Sequence, residues 1–142
     1  MKKWWELLIL LALIGVLIYM LKPGNTAVIS KLADAIQFAE GFYSPGSRPK
    51  RNNNPGDLET DITGTGAGFD GPYVVYASYA DGRAALEQMI SGWFNGSSKI
   101  YDPSMTIAEV AARYSPDGSG NWANNVASYL NVPVSATLAE IV

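Results

Sequence analysis

The stretch FAEGFYSPGSRPKRNNNPGDL, residues 38–58, sets the organisation of this chain. It places one carboxylate, Glu40, at the end of an apolar helical pattern, and Gly41 is suited to end that helix in a left-handed conformation. A loop rich in Pro, Gly and basic residues follows, and it leads into Asn-Asn-Asn-Pro-Gly at residues 52–56, which we name the asparagine turn. We therefore expect the fold to be arranged around Glu40 and this turn.

The helix before Glu40 is predicted from its apolar periodicity. Ile29, Leu32 and Ile36 follow a helical stripe, and Glu40 falls one turn after Ile36, on the buried side. A carboxylate in the last turn meets the negative end of the helix dipole, which opposes its ionisation. Apolar neighbours also disfavour the charged form, so we expect a raised pKa and a general-acid role for Glu40. The alternative is an ordinary exposed Glu at a helix end.

The residue inventory restricts the chemistry that the chain can perform. Its 142 residues suffice for one small domain and an attachment. The absence of His and Cys excludes Ser-His-Asp triads, thiolate nucleophiles and His- or Cys-ligated zinc. The spacing Asp57-x-Glu59-x-Asp61 faintly resembles a calcium loop, but Ile62 and Gly68 stand where its glycine and closing acid belong. We expect no metal and no cofactor.

The charge of the chain is uneven. Three of the ten basic residues lie in the first 22 positions, and twelve of the thirteen acidic residues lie after them. An acidic domain lacks the concentrated basic face that nucleic acid requires, so we expect no nucleic-acid partner. The one basic cluster, Arg48, Lys50 and Arg51, is either a solvated loop or a holder of an anionic ligand group. The sequence does not specify an oligomeric state.

Residues 1–22 are predicted to form an N-terminal membrane anchor. The apolar run WWELLILLALIGVLIYML at 4–21 would reach ~27 Å as a helix, and its aromatic residues lie near both ends. No small-x-small cleavage site follows, which favours an uncleaved transmembrane helix in the lipid bilayer over a signal peptide. Two lysines before the run predict that residues 23–142 face the periplasm or cell wall. A virion internal membrane is the alternative location.

A short β-hairpin is predicted between the asparagine turn and the later helices. Leu58, Thr60 and Ile62 alternate as in one strand, and residues 73–76 resemble a second. The glycine-rich segment between them is predicted to be a loop.

Three further helices are predicted after the hairpin. Asp81 and Asn121 are candidate caps for the first and the last. Thr106 and Glu109 have the spacing of a capping box for the middle one. With the helix before Glu40, these elements predict a mainly α (α+β) domain.

Four blocks of sequence occur in a fixed order along the chain. The blocks are Glu40-Gly41 with RNNNPGDL at 51–58, YADGRAAL at 79–86, TIAE at 106–109 with RYSP at 113–116, and NWANNV at 121–126. In this order they resemble phage-associated lysozyme-like domains of the lytic transglycosylase family. The resemblance extends from about residue 33 to 138, nearly the whole chain after the anchor.

The resemblance implies a lysozyme-like fold that cleaves the β-1,4 bond between N-acetylmuramic acid and N-acetylglucosamine in peptidoglycan. In the lytic transglycosylases one Glu serves as both acid and base while a hydroxyl of the sugar closes a ring, and Glu40 matches that Glu. Asn54, Asp57, Tyr114 and Trp122 are candidates to bind the glycan. Core packing is an equal alternative for the two aromatic residues, and many relatives have Asn at the position of Asp57.

Other functions are compatible with the same residues. A muramidase would hydrolyse the bond between two carboxyl groups, ~5 Å apart for retention or ~6.5–9.5 Å for inversion. A non-catalytic glycan-binding or structural membrane protein of a virion would bind peptidoglycan and release no product. We expect the protein to be carried by a phage or prophage.

Overall fold

A computed structural model describes residues 4–20 and 23–141 of the chain. It is mainly helical with one small antiparallel hairpin, as the sequence predicts. The elements in chain order are α1 (Trp4–Met20), α2 (Pro23–Ala39), α3 (Arg48–Arg51), β1 (Gly66–Asp70), β2 (Tyr73–Tyr76), α4 (Tyr79–Asn95), α5 (Ile107–Tyr114) and α6 (Ser119–Leu130). Short 3-10 turns at Pro116–Gly118 and Leu138–Glu140 follow α5 and α6 respectively.

The main hydrophobic core lies between α2, α4, α5 and α6. Helix α6 packs against both α2 and α5, and α2 also packs against α4. Each helix contributes the apolar stripe that its 3.6-residue period places on one face. The largest side chains of this core that are almost fully buried are Leu32, Ile36, Leu86, Ile90, Trp93, Ile107, Val110, Val126 and Leu138.

The hairpin packs on a second, smaller core. Val74 and Tyr76 of β2 are buried there together with Leu58 and Ala85. The predicted strand at residues 73–76 is confirmed, whereas the other strand is not where the sequence predicts it. Strand β1 lies in the glycine-rich segment, and residues 58–62 form no strand. The backbone carbonyl of Leu58 instead accepts one hydrogen bond from the N–H of Val74, at 2.9 Å.

Two of the predicted helix starts are displaced. Helix α4 begins after Ser78, whose hydroxyl accepts a hydrogen bond from the N–H of Asp81, so Asp81 lies inside the first turn. Helix α6 begins two residues before Asn121, after Gly118. The capping box of α5 is confirmed, because Thr106 and the Glu at its third position bond each other's backbone. Short helix α3 lies in a segment where its Pro, Gly and Asn content predicts irregular structure.

Helix α1 lies within the segment that the sequence predicts to be a membrane anchor. Helix α1 has 17 residues and ends at Met20, whereas Leu21 and Lys22 lie outside the described residues. In the described part of the chain, no helix is both long and apolar enough to cross a membrane. The predicted membrane-spanning helix is therefore not borne out. Helix α2 begins at Pro23, where the missing N–H of proline costs no helical hydrogen bond.

Candidate active site

Glu40 is the first residue after helix α2. Its N–H still donates to the carbonyl of Ile36, at 2.8 Å, so it extends the last helical turn. Gly41, with a φ of 73°, then turns the chain away in the left-handed conformation predicted for it. The carboxyl group therefore lies half-buried at the negative end of the helix dipole.

Trp122 holds the carboxyl group of Glu40 in place. Its indole Nε1–H donates a hydrogen bond to Glu40 Oε1 at 2.7 Å, and its side chain is buried. The indole also stacks on the ring of Tyr114, with ring centroids 5.0 Å apart and planes inclined by 30°. Since an indole N–H can only donate, this contact orients one carboxyl oxygen and leaves the other for a ligand.

The pKa of Glu40 is raised from its ordinary value of 4.5 to about 7. Burial is the largest cause, because it disfavours the charged form. The hydrogen bond from Trp122 lowers the pKa, the charge of Asp57 raises it, and the charge of Arg48 lowers it. Near neutral pH the carboxyl group of Glu40 is therefore populated in both protonation states. A group that first donates and then accepts a proton needs access to both states.

Asp57 and Arg48 form an ion pair beside Glu40. The guanidinium binds both carboxylate oxygens, with Nε donating to Oδ1 at 3.0 Å and Nη2 donating to Oδ2. The guanidinium also lies 3.4 Å over the ring of Tyr73, in a cation–π contact. The side chain of Asp57 is only 9% exposed, and its partner fixes its direction. Asp57 therefore presents a paired carboxylate to the site.

A cleft of about 320 Å³ connects these groups. Glu40 and Asp57 both line it, so the structure brings together the two carboxyl groups that the sequence singles out. Its lining is mostly polar and its residues come from five separate segments: Glu40, Arg48, Asp57, Glu59, Tyr73, Tyr114, Ser115, Pro116 and Asp117. Hydroxyl groups of a sugar need such partners.

Tyr114 and Trp122 have different positions relative to this cleft. The ring of Tyr114 lines it, while its hydroxyl donates to the backbone carbonyl of Gly56 at 2.6 Å. Tyr114 thus joins α5 to the asparagine turn. Trp122 lies in the core behind Glu40 and acts on the site through its hydrogen bond to that residue.

Asn54, which the sequence predicts to bind the glycan, is not among the residues that line the cleft. Its side chain is fully buried. The amide donates to the carbonyls of Leu58 and Val74, both at 2.9 Å, and accepts from the N–H of Leu58 at 2.8 Å. These three bonds use its hydrogen-bonding capacity inside the protein, so Asn54 holds the asparagine turn against the hairpin.

The other two asparagines of the turn serve the same purpose. The amide of Asn53 donates to the carbonyl of Tyr76 at 3.0 Å, and that of Asn52 donates to Asp70 at 3.2 Å. Helix α4 closes the turn from the other side. A Cβ on Gly82 would lie 1.8 Å from the backbone oxygen of Asn53, so only glycine fits there.

Sequence reasoning missed several residues that line the cleft. Arg48 appears in the sequence only as part of a basic cluster, and its bidentate bond to Asp57 argues against a free anion-binding role. Tyr73 reads as an ordinary strand residue, and Asp117 as part of a loop. The sequence feature that could have indicated Asp117 as a lining residue is the RYSP block at 113–116, which directly precedes it.

The described residues contain no group of three or more His, Cys, Asp or Glu side chains that could hold a metal ion. The acids at 57, 59 and 61 do not converge into the calcium loop that their spacing faintly resembles, and Asp61 instead accepts a hydrogen bond from the N–H of Gly66 at 3.0 Å.

Comparisons with protein-family models, with curated proteins and with solved structures found no match to this chain.

Proposed function

We propose that the protein is a peptidoglycan-cleaving enzyme with a lysozyme-like domain, and that Glu40 is its acid and base. The observation that carries the proposal is the carboxyl group of Glu40, whose pKa is about 7 and which is held by Trp122 at the wall of a polar cleft. The resemblance of the ordered sequence blocks to phage-associated lytic transglycosylases supports the choice of substrate.

The reaction begins with protonated Glu40. Its proton passes to the glycosidic oxygen as the bond to the muramic acid carbon breaks, and the sugar acquires oxocarbenium character. The paired carboxylate of Asp57, which lines the same cleft, stabilises this positive charge. The resulting Glu40 carboxylate accepts a proton from the attacking hydroxyl. In a transglycosylase that hydroxyl belongs to the sugar itself, and an anhydro ring forms.

Arg48 keeps Asp57 in place during this sequence. Its bidentate bond aligns the carboxylate and offsets part of the repulsion between two acids that share a cleft. The ring of Tyr73 packs against the guanidinium of Arg48 through the cation–π contact. One protonatable acid beside a paired carboxylate suits a mechanism in which Glu40 acts as both acid and base.

The test is release of soluble fragments from purified cell wall by the wild type and by Glu40→Gln. The glutamine keeps the side-chain size and can still accept the hydrogen bond from Trp122, so the variant should fold and release no fragments. Thermal unfolding of both proteins controls for folding. Release by the variant at the wild-type rate would exclude Glu40 as the acid.

Mass spectrometry of the fragments separates the possible functions. Anhydro ends indicate a transglycosylase, and reducing ends indicate a muramidase. Binding to cell wall without any soluble product would instead support a non-catalytic glycan-binding protein.

We further infer that the N-terminal helix attaches this domain to a lipid bilayer in a host or virion membrane. All the side chains from Trp4 to Ile14 are exposed, and every one except Glu6 is apolar. Such a surface is costly in water, at about 25 cal/mol per Å². The full chain should co-float with phospholipid vesicles, and a chain that begins at residue 23 should not. Equal flotation of the two would refute this attachment.

A further inference from the structure

The cleft beside Glu40 is one end of a longer groove. It adjoins a second chamber of about 210 Å³, and the second adjoins a third of about 480 Å³, which we name the far chamber. The cleft and the second chamber share the lining residues Asp57, Glu59 and Tyr114. The second chamber and the far chamber share Ile62, Met89 and Tyr101. A ligand in the cleft can therefore extend into the far chamber.

The far chamber differs in character from the cleft. Its walls are mainly apolar side chains: Ile62, Met89, Trp93, Ile100 and Tyr101. The hydroxyl of Ser98, on its rim, already accepts hydrogen bonds from the N–H groups of Ile100 and Tyr101, at 3.2 and 3.0 Å. Gln88 and Ser97 also line the chamber, but most of its exposed wall is apolar, and burying sugar hydroxyls against such a wall without partners is costly. The chamber suits methyl and methylene groups instead.

The sign of the charge also changes along the groove. The cleft carries Glu40, Glu59 and Asp117, whereas Lys99 lines the far chamber. Lys99 makes no ion pair within the part of the chain that the structure describes. Arg113 lines the second chamber and donates to the backbone carbonyl of Ile100, although Asp102 and Glu109 lie close enough to interact with it. An anionic group is therefore favoured at the far end.

We propose that the far chamber binds the peptide stem that the glycan of peptidoglycan carries on its muramic acid. This proposal rests on the proposed function. A stem combines small apolar side chains with free carboxylates, which matches both the apolar walls and Lys99. The stem branches from the sugar chain, so a groove that continues from the cleft can receive it. The protein then selects peptide-bearing strands over bare glycan.

The experiment compares two glycan substrates of equal length, one with its stems and one from which an amidase has removed them. We measure kcat/KM on both for the wild type, for Lys99→Glu and for Lys50→Glu. Lys50 is exposed on α3 and does not line the groove. Lys50→Glu therefore makes the same charge change as Lys99→Glu at a position outside the groove. The wild type should prefer the peptide-bearing strand.

Lys99→Glu should reduce that preference about fivefold, the upper range for an exposed ion pair. Lys50→Glu should leave it unchanged. Equal rates of the wild type on the two substrates, or an unchanged preference in Lys99→Glu, would overturn the proposal.

A binding measurement separates this proposal from the cleavage reaction. Calorimetric titration of free stem peptide into Glu40→Gln, with and without Lys99→Glu, requires no catalysis. Weaker binding by about fivefold in the double variant supports the far chamber as the peptide site, even if no substrate is cleaved. Equal binding, or no binding to either protein, overturns it.

Discussion

Replacing Glu40 by Gln should stabilise the protein at alkaline pH while it abolishes activity. Burial raises the pKa of this carboxyl group from 4.5 to about 7, so the folded state holds a proton that the unfolded state has lost. Folded stability therefore falls as the pH rises through that window, and the loss is complete above pH 7. At about 1.4 kcal/mol per pKa unit, the loss amounts to about 3 kcal/mol.

The assay is urea unfolding of wild type and Glu40→Gln at pH 4 and pH 8. At pH 4 the carboxyl group is protonated in both states, so the two proteins should have similar free energies of unfolding. At pH 8 the variant should be more stable by about 3 kcal/mol. Glu59→Gln, which changes an exposed carboxyl in the same cleft, is the matched control and should show no such gain. A variant no more stable than the wild type at pH 8 would refute the reasoning.

Two further substitutions test the surroundings of the site. Trp122→Phe removes the hydrogen bond that lowers the pKa of Glu40, so the alkaline limb of the pH–rate profile should move up by about one unit; Trp93→Phe, at another buried indole, should not move it. Gly82→Ala places a Cβ 1.8 Å from a backbone oxygen of the asparagine turn and should lower the free energy of unfolding by about 3 kcal/mol. Gly120→Ala, with open space around it in α6, should raise that energy slightly, and equal effects of the two glycine variants in urea unfolding would contradict the close contact.

The local features of the fold were predictable because they depend on neighbouring residues. The apolar stripe before Glu40, the left-handed Gly41 and the capping box at Thr106 all involve spacings of four residues or fewer. These local features required no knowledge of the tertiary structure. The direction of the Glu40 pKa shift was also predicted, but its largest cause is burial, which the packing of the whole domain produces.

The contacts that complete the site could not be read from the sequence. Trp122 lies 82 positions after Glu40, and only the packing of α6 on α2 brings its indole to that carboxyl group. The sequence predicts that Asn54 faces the ligand because amides suit sugars. In the structure its side-chain N–H groups donate to the backbone carbonyls of Leu58 and Val74 instead.

The misplaced strand has a similar cause. All five residues of β1 are exposed, so the strand has no alternation of buried and exposed positions for a pattern to detect. Residues 58–62 do alternate, but the N–H of Leu58 donates to Asn54 and Asp61 accepts from the N–H of Gly66, and the segment is bent instead of extended.

The unusual pKa of Glu40 provides a label-free measure of ligand binding. Histidine is the side chain that ordinarily titrates between pH 5 and 8, and this chain has none. A proton that is taken up or released near pH 7 when a glycan binds therefore comes from Glu40 or from the α-amino group, whose ordinary pKa is about 7.7. Calorimetry in buffers of different ionisation enthalpy counts such protons, and acetylation of the amino group leaves a signal from one carboxyl alone.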